Sequence, residues 1–191
     1  MNIDEAAPED LAVLRAAFGV DDGGSALGRE AVRAFEAEHG IVLPEPYRTF
    51  VAEISDGSSQ GPPEYGMVGP AELPSDWPDD MHVRSPGKPF PLTEGWLWEE
   101  DEGGYDDPEA VIEQVVNHGS IVLGTDGCAM NWHLVVTGPQ RGHIWMVTGE
   151  GAVPFGPESG ATTSEPGFAG WVKHWSSGKP WFDAGSTESA E

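Results

Sequence analysis

Apolar residues recur at helical spacing three times in the first third of the chain. Leu11, Leu14 and Phe18 share one face of a predicted helix from about Pro8 to Phe18. Pro8 suits a first turn, where its missing N–H is not needed, and Glu9 and Asp10 complement the dipole there. Gly19 to Gly24 then break the pattern. A second helix is expected from Ser25 as N-cap, carrying Leu27, Ala31, Val32, Ala34 and Phe35, with Gly40 as its stop. Ile41-Val42-Leu43-Pro44 leads into a third, whose Tyr47, Phe50, Val51 and Ile54 fall at i, i+3, i+4 and i+7 before the Asp56-Gly57 turn.

From residue 57 to 93 the periodicity fades into Pro- and Gly-rich loops, with one short edge strand expected around Tyr65 to Val68. Residues 94–109 read EGWLWEEDEGGYDDPE, in which eight positions are acidic and none is basic. Strand alternation would put Trp96 and Trp98 on one face. Asp107-Pro108-Glu109 is a helix start, and Val111, Ile112, Val115 and Val116 form its apolar stripe up to Asn117-His118-Gly119. The strand signal follows: Ser120 to Leu123, a Thr125-Asp126-Gly127 turn, Met130 to Thr137, a Gly138 to Gly142 hairpin loop, His143 to Thr148, then Val153 to Phe155. Phe168, Trp171, Val172 and Trp175 mark a closing helix. This order predicts an α+β domain with an antiparallel or mixed sheet and helices packed mainly on one face.

The division expected is an N-terminal helical extension (1–27), one domain (28–182) with a long acidic insertion near 57–109, and a flexible polar tail (183–191). The N-terminal sequence lacks the basic and apolar regions of a secretory signal, and no apolar run reaches the ~18 residues of a membrane helix, so a cytoplasmic protein is expected.

Charge narrows the function. The 191 residues include 9 Lys and Arg against 33 Asp and Glu, a net charge of −24 with a pI of about 4.2. Such a surface repels phosphate backbones and anionic membranes, so neither nucleic acid nor membrane is an expected partner. Residues 1–110 hold 25 acidic and 6 basic positions and residues 111–191 hold 8 and 3, so the charge is concentrated upstream of the strands. Despite the charge, 38% hydrophobic residues and 8 Trp supply a core, which argues against disorder.

Catalytic signatures are missing. The sequence has no G-x-S-x-G, H-E-x-x-H or G-x-G-x-x-G, and Ser177-Gly178-Lys179-Pro180 puts Pro where a phosphate loop needs Ser or Thr. Cys128 is the only cysteine, and as a nucleophile it would need a base from His118, His133 or His143. His133 and His143 flank a hairpin, but His133 falls opposite the Trp132, Leu134, Val136 row and reads as solvent-facing or partly buried. Asp76, Asp79, Asp80 and His82, or Glu99 to Glu102, are acidic clusters without the register of a calcium loop. No enzyme, metal or cofactor is therefore expected; an enzyme would have to be built around His133, His143, Cys128 and Asp126. Trp132, Trp145, Trp171 and Trp175 fit ordinary packing, whereas Trp77, Trp96 and Trp98 stand among Pro and acidic residues, as anchors for a partner would.

Val32 to Gly57, VRAFEAEHGIVLPEPYRTFVAEISDG, has a Glu-bearing helix, a Gly, a Leu-Pro step and an aromatic helix ending in a Gly turn. Later come Gly119 to Cys128 with its Asp-Gly turn, Trp132 to Val136, Gly142-His143-Ile144-Trp145, and Phe168-Ala169-Gly170-Trp171-Val172. In order and spacing this series resembles the SMI1/KNR4 family of the SUKH superfamily. It departs from the family pattern at Ala129 and in the long stretch from Gly57 to Asp107. The resemblance implies a single α+β domain for protein–protein interaction. Many bacterial members look like immunity proteins that neutralise toxins, often nucleases, and fungal members are signalling scaffolds.

The expectation is thus a non-catalytic immunity-type protein that occludes a basic toxin domain. Its candidate partner-binding residues are Trp96, Trp98, Glu99, Glu100, Asp101, Glu102, Tyr105, Asp106 and Asp107. The alternative is an intracellular regulatory scaffold for a host protein or peptide.

Overall fold

A computed structural model describes residues 5–18, 25–77, 84–99, 105–156 and 164–181. These form helices α1 (Pro8–Ala17), α2 (Arg29–His39), α3 (Tyr47–Glu53), α4 (Pro108–Asn117) and α5 (Phe168–Ser176), and strands β1 (Ser120–Thr125), β2 (Asn131–Val135), β3 (Ile144–Val147) and β4 (Ala152–Pro154). Helix α2 does not start at Ser25 as expected. The Leu27 N–H donates to the Val51 carbonyl at 2.8 Å and the Ser25 carbonyl accepts from Asp56 at 3.1 Å, which holds this stretch along α3. Gly28, at φ 91°, then turns the chain into the helix without a side-chain cap. Gly40 closes α2 in the left-handed conformation at φ 66°, as its place after the last helical residue predicts. Asp107 caps α4, accepting from the Ala110 N–H at 3.1 Å.

The strands form an antiparallel meander in the order β1-β2-β3-β4. Ser120 pairs with Val135, His133 with Trp145 and Val147 with Ala152, and a bulge lies between Val122 and Gly124. Both edges are occupied. Along β1, the Val68 and Tyr65 N–H groups donate to Leu123 and Thr125, so the edge strand expected at 65–68 is present as a docked segment. Along β4, Trp96 and Ala152 exchange backbone bonds of 2.9 and 2.8 Å. These docked segments shorten the ladder that each edge strand exposes.

Alternation along the strands splits the side chains between two cores. The first gathers Ile121, Leu123, Trp132, Leu134, Ile144 and Met146 under α1, α2, α3 and α5, so four of the described helices share one face. Its centre is aromatic: Phe50 is fully buried, with Phe18 and Phe168 rings 4.8 and 5.0 Å away. Glu36 of α2 locks this layer, accepting from Leu43 N–H and from Arg48 Nε at 2.9 and 2.7 Å. α1 belongs to it as well, with Leu14 completely buried.

The second core covers the other face. Val135, Trp145, Val147 and Ala152 pack there against Val115 of α4 and against Phe90, Leu92 and Trp96 from a segment without regular structure. That segment can lie close only because residue 119 is glycine. Gly119 has φ 63°, and a Cβ there would stand 2.1 Å from the Phe90 nitrogen. The sheet is therefore buried on both sides, with helices mainly on one. No helix of the described residues is long and apolar enough to cross a membrane.

Candidate functional site

On the second face a line of polar groups runs through an otherwise apolar layer. Arg84 Nη2 donates to both the carbonyl and the Oγ of Ser120, each at 2.9 Å. Ser120 Oγ lies 3.0 Å from His133 Nδ1 on the neighbouring strand. Trp77 covers the pair, its ring 5.1 Å from the Arg84 guanidinium and 6.0 Å from the His133 ring. Burial lowers the Arg84 pKa to about 10. Burial, and then the charge of Arg84, hold His133 well below the ordinary histidine value.

Ser120 Oγ thus bridges the Arg84 guanidinium and the imidazole. The other ring nitrogen, Nε2, is buried and meets no hydrogen-bond partner among the described residues. Two residues away on the same strand face, Asn131 Oδ1 is also buried without a partner, while its Nδ2 donates to Ala129 O at 3.4 Å.

Both residues line a cleft of about 330 Å³. Its walls are Trp77, Trp98, Ile112, Val116 and Val147, with Ala129, Thr148 and Gly149 completing the rim. α4 supplies Ile112 and Val116 from the apolar stripe read in the sequence. Trp98 is half-buried and held by one bond from its Nε1 to the Gly149 carbonyl at 2.7 Å. The cleft has the size and lining of a ligand site: apolar walls with a few polar atoms at the base.

The predicted anchors divide around this cleft. Trp98 forms one wall of it. Trp96 is only 7% exposed and belongs to the second core, where the same-face expectation holds: its ring stands 5.4 Å from Trp98 and 4.6 Å from Tyr105. Its burial overturns its reading as a protruding anchor, because the edge of β4 needs a partner and Trp96 supplies both the backbone bonds and the apolar cover. Trp77, 8% exposed, is likewise a lid over His133 and Arg84. Tyr105, at 41%, is exposed, as are Glu99, Asp106 and Asp107. Glu100, Asp101 and Glu102 lie outside the described residues.

The enzyme centre considered from the sequence does not assemble. His133 is fully buried, neither solvent-facing nor partly so, because a second apolar layer covers its face. His143 is bonded to Gln140 in the hairpin loop, away from the Ser120 pair. Asp126 serves the turn, accepting from Glu64 N–H at 2.8 Å and Trp132 Nε1 at 2.7 Å. Cys128 is exposed in a left-handed conformation. Asp76 accepts from Thr125 Oγ1, and Asp79, Asp80 and His82 lie outside the described residues. Among the described residues no three His, Cys, Asp or Glu side chains converge on a metal position.

The SMI1/KNR4 family model, SUKH-1, matches residues 27–165. The chain belongs to the SMI1/KNR4 (SUKH-1) family. No curated protein and no solved structure matches it. The matched span takes in α2 to β4, and with them the whole cleft of this SUKH-1 domain.

Sequence reasoning missed Arg84, Ser120 and Asn131. Arg84 and Ser120 are 36 positions apart with no motif between them, and only the fold joins them. A signal for the buried second face did exist. Val135 and Val136, and the run Ile144 to Val147, are apolar without alternation, which is how strands covered on both sides read.

Proposed function

We propose that this SUKH-1 protein is a non-catalytic binding protein of the immunity type, which neutralises a basic toxin domain by covering its working surface. The observation that carries this reading is the setting of the cleft. Between Lys88 and Arg141 the chain contains no Lys or Arg, while Glu99, Glu113 and Glu150 directly follow the wall residues Trp98, Ile112 and Gly149 in the chain, and Asp106, Asp107 and Glu109 open the helix that supplies Ile112 and Val116. A nuclease holds phosphate with Lys and Arg, so an acidic ridge competes for those same groups. It also steers encounter, raising association rates to roughly 10⁸ to 10⁹ M⁻¹ s⁻¹ at low salt. Family membership agrees with this role, since the family's domains serve chiefly as binding modules.

Co-expression with a toxin domain encoded beside this protein's own gene is the direct test. Protection of the cell and a stable complex are expected. Reversing the charge of Glu99, Glu100, Asp101 and Glu102 should slow association at least tenfold at low salt and flatten its salt dependence. No protection, or an unchanged association rate, overturns the reading.

A further inference from the structure

We propose that the cavity at the outer edge of β1, lined by Arg84 and Ser120, is a binding site for a small organic monocarboxylate. The cavity measures about 290 Å³. It lies where β1 is flanked by two docked segments: Tyr65 to Val68, which bond to Thr125 and Leu123, and Ser85, which bonds to Asn117 and Gly119. It shares no lining residue with the cleft that Trp98 walls, and it needs no basic partner.

An uncompensated charge calls for the anion. The Arg84 guanidinium donates through Nη2 to Ser120, an uncharged residue, and Trp77 covers it with a ring that favours a cation without cancelling its charge. Nη1 is buried and bonds to nothing. The neighbouring His133 is held neutral and supplies no counter-charge. Among the described residues no Asp or Glu forms an ion pair with Arg84, in a chain that carries 33 of them. Burial lowers its pKa to about 10 with no carboxylate opposing the shift, so the group stays charged at neutral pH. Leaving one buried charge without its partner is strongly destabilising. The fold avoids this at Arg48, which is less buried and yet meets both oxygens of Glu36, at 2.7 and 2.9 Å.

The cavity also selects the kind of anion. Phe35, Leu73, Ile121 and Val122 give it apolar walls, which suit an organic body better than an inorganic ion. Glu38 and Glu72 line it too, both exposed, and they repel a dianion such as phosphate twice as strongly as a single carboxylate. Glu72 Oε2 is occupied in its own turn, accepting from the Gly69 N–H at 3.1 Å. A carboxylate in the cavity need not touch Nη1, because an opposite charge favours the cation from about 4 to 6 Å away.

The probe is 3-methylbutanoate, titrated by NMR into the isotope-labelled full chain at mildly alkaline pH and fixed ionic strength. 3-Methylbutanamide serves as the uncharged form of the same shape, and inorganic phosphate as the dianion. Expected are saturable shifts at the Ile121 and Val122 methyls and the Arg84 side-chain N–H signals, with the carboxylate binding at least tenfold tighter than either control. Arg84→Met, which removes the charge and keeps an apolar side chain, should abolish the preference for carboxylate over amide. The wild-type comparison decides alone if that variant does not fold. Equal affinity for acid and amide, tighter binding of phosphate, no saturable shift, or a preference that survives in Arg84→Met overturns the site. Any of these results leaves the acidic-surface reading where it stands, since toxin protection is measured separately.

Discussion

The two faces of the sheet solve the same burial problem with different materials. The first is closed by four helices carrying Leu, Phe, Val and Trp, and among the described residues its buried polar atoms without partners are Tyr47 Oη and Trp171 Nε1. The second is closed by one helix and an irregular segment, and it holds Arg84 Nη1, Trp96 Nε1, Asn117 Oδ1, Asn131 Oδ1, His133 Nε2 and Trp145 Nε1 without partners. Each orphaned buried group costs on the order of 1 to 3 kcal/mol. These costs gather on the second face, two of them at the cleft residues Asn131 and His133. The first face is the tighter scaffold, and the second is the face that carries the cleft.

The largest effect expected from that division is at Phe50. Truncation to alanine removes the ring at the meeting point of Phe18, Tyr47 and Phe168 and leaves a cavity no helix can close. The cost should be about 3 to 5 kcal/mol, against a total of roughly 5 to 15 for a domain of this kind. Urea unfolding measures it. A loss under about 1.5 kcal/mol would mean that the first face is not the main store of stability.

A smaller, pH-dependent effect should single out the second face. His133 is held neutral by burial and by Arg84, so its folded pKa lies well below 6.5. The unfolded chain gains a proton there as pH falls through about 6.5, while the folded chain does not. The unfolded state thus binds more protons, and stability drops on acidification by up to about 1.4 kcal/mol per pH unit until the folded pKa is reached. His118, lowered by partial burial and by Lys88, acts in the same direction. Unfolding at pH 7 and pH 5.5 should differ by about 1 to 1.5 kcal/mol in the wild type. The difference should shrink in His133→Phe. An equal slope in both would remove His133 as its source.

How much of this was readable beforehand follows the range of the interactions. α1, α3 and α5 and the hairpins rest on neighbours a few positions apart, and their periodicities predicted them. The Trp77 and Trp96 burials depend on what lies across the fold, and their acidic and Pro-rich flanks pointed the other way. Phe90 and Leu92 carry no period because their segment follows a groove between α4 and the sheet rather than a ladder of its own. The Arg84, Ser120 and His133 chain draws on a loop and two strands, so no spacing rule applied to it. The acidic run of residues 94–109 was visible as composition, but the cleft that Trp98 walls was not.

The finest contrast lies within α4, between two adjacent valines. Val115 is fully buried in the second core, and Val116 is half-buried on the cleft wall. Replacing either with alanine removes the same two methyl groups and gains the same few tenths of a kcal/mol in helix propensity, so those terms cancel in the comparison. At Val115 the lost transfer energy of about 1.6 kcal/mol is joined by a cavity that the surrounding Trp145 and Val135 cannot fill, giving about 2 to 3 kcal/mol. At Val116 the methyls already border an open cleft, so no closed cavity forms and the cost should stay below about 1 kcal/mol. Equal losses at the two positions would show that the cleft wall is packed as core, and the second face would then have no ready place for a partner's side chain. A clear gap between them locates the boundary between support and binding surface within a single turn of helix.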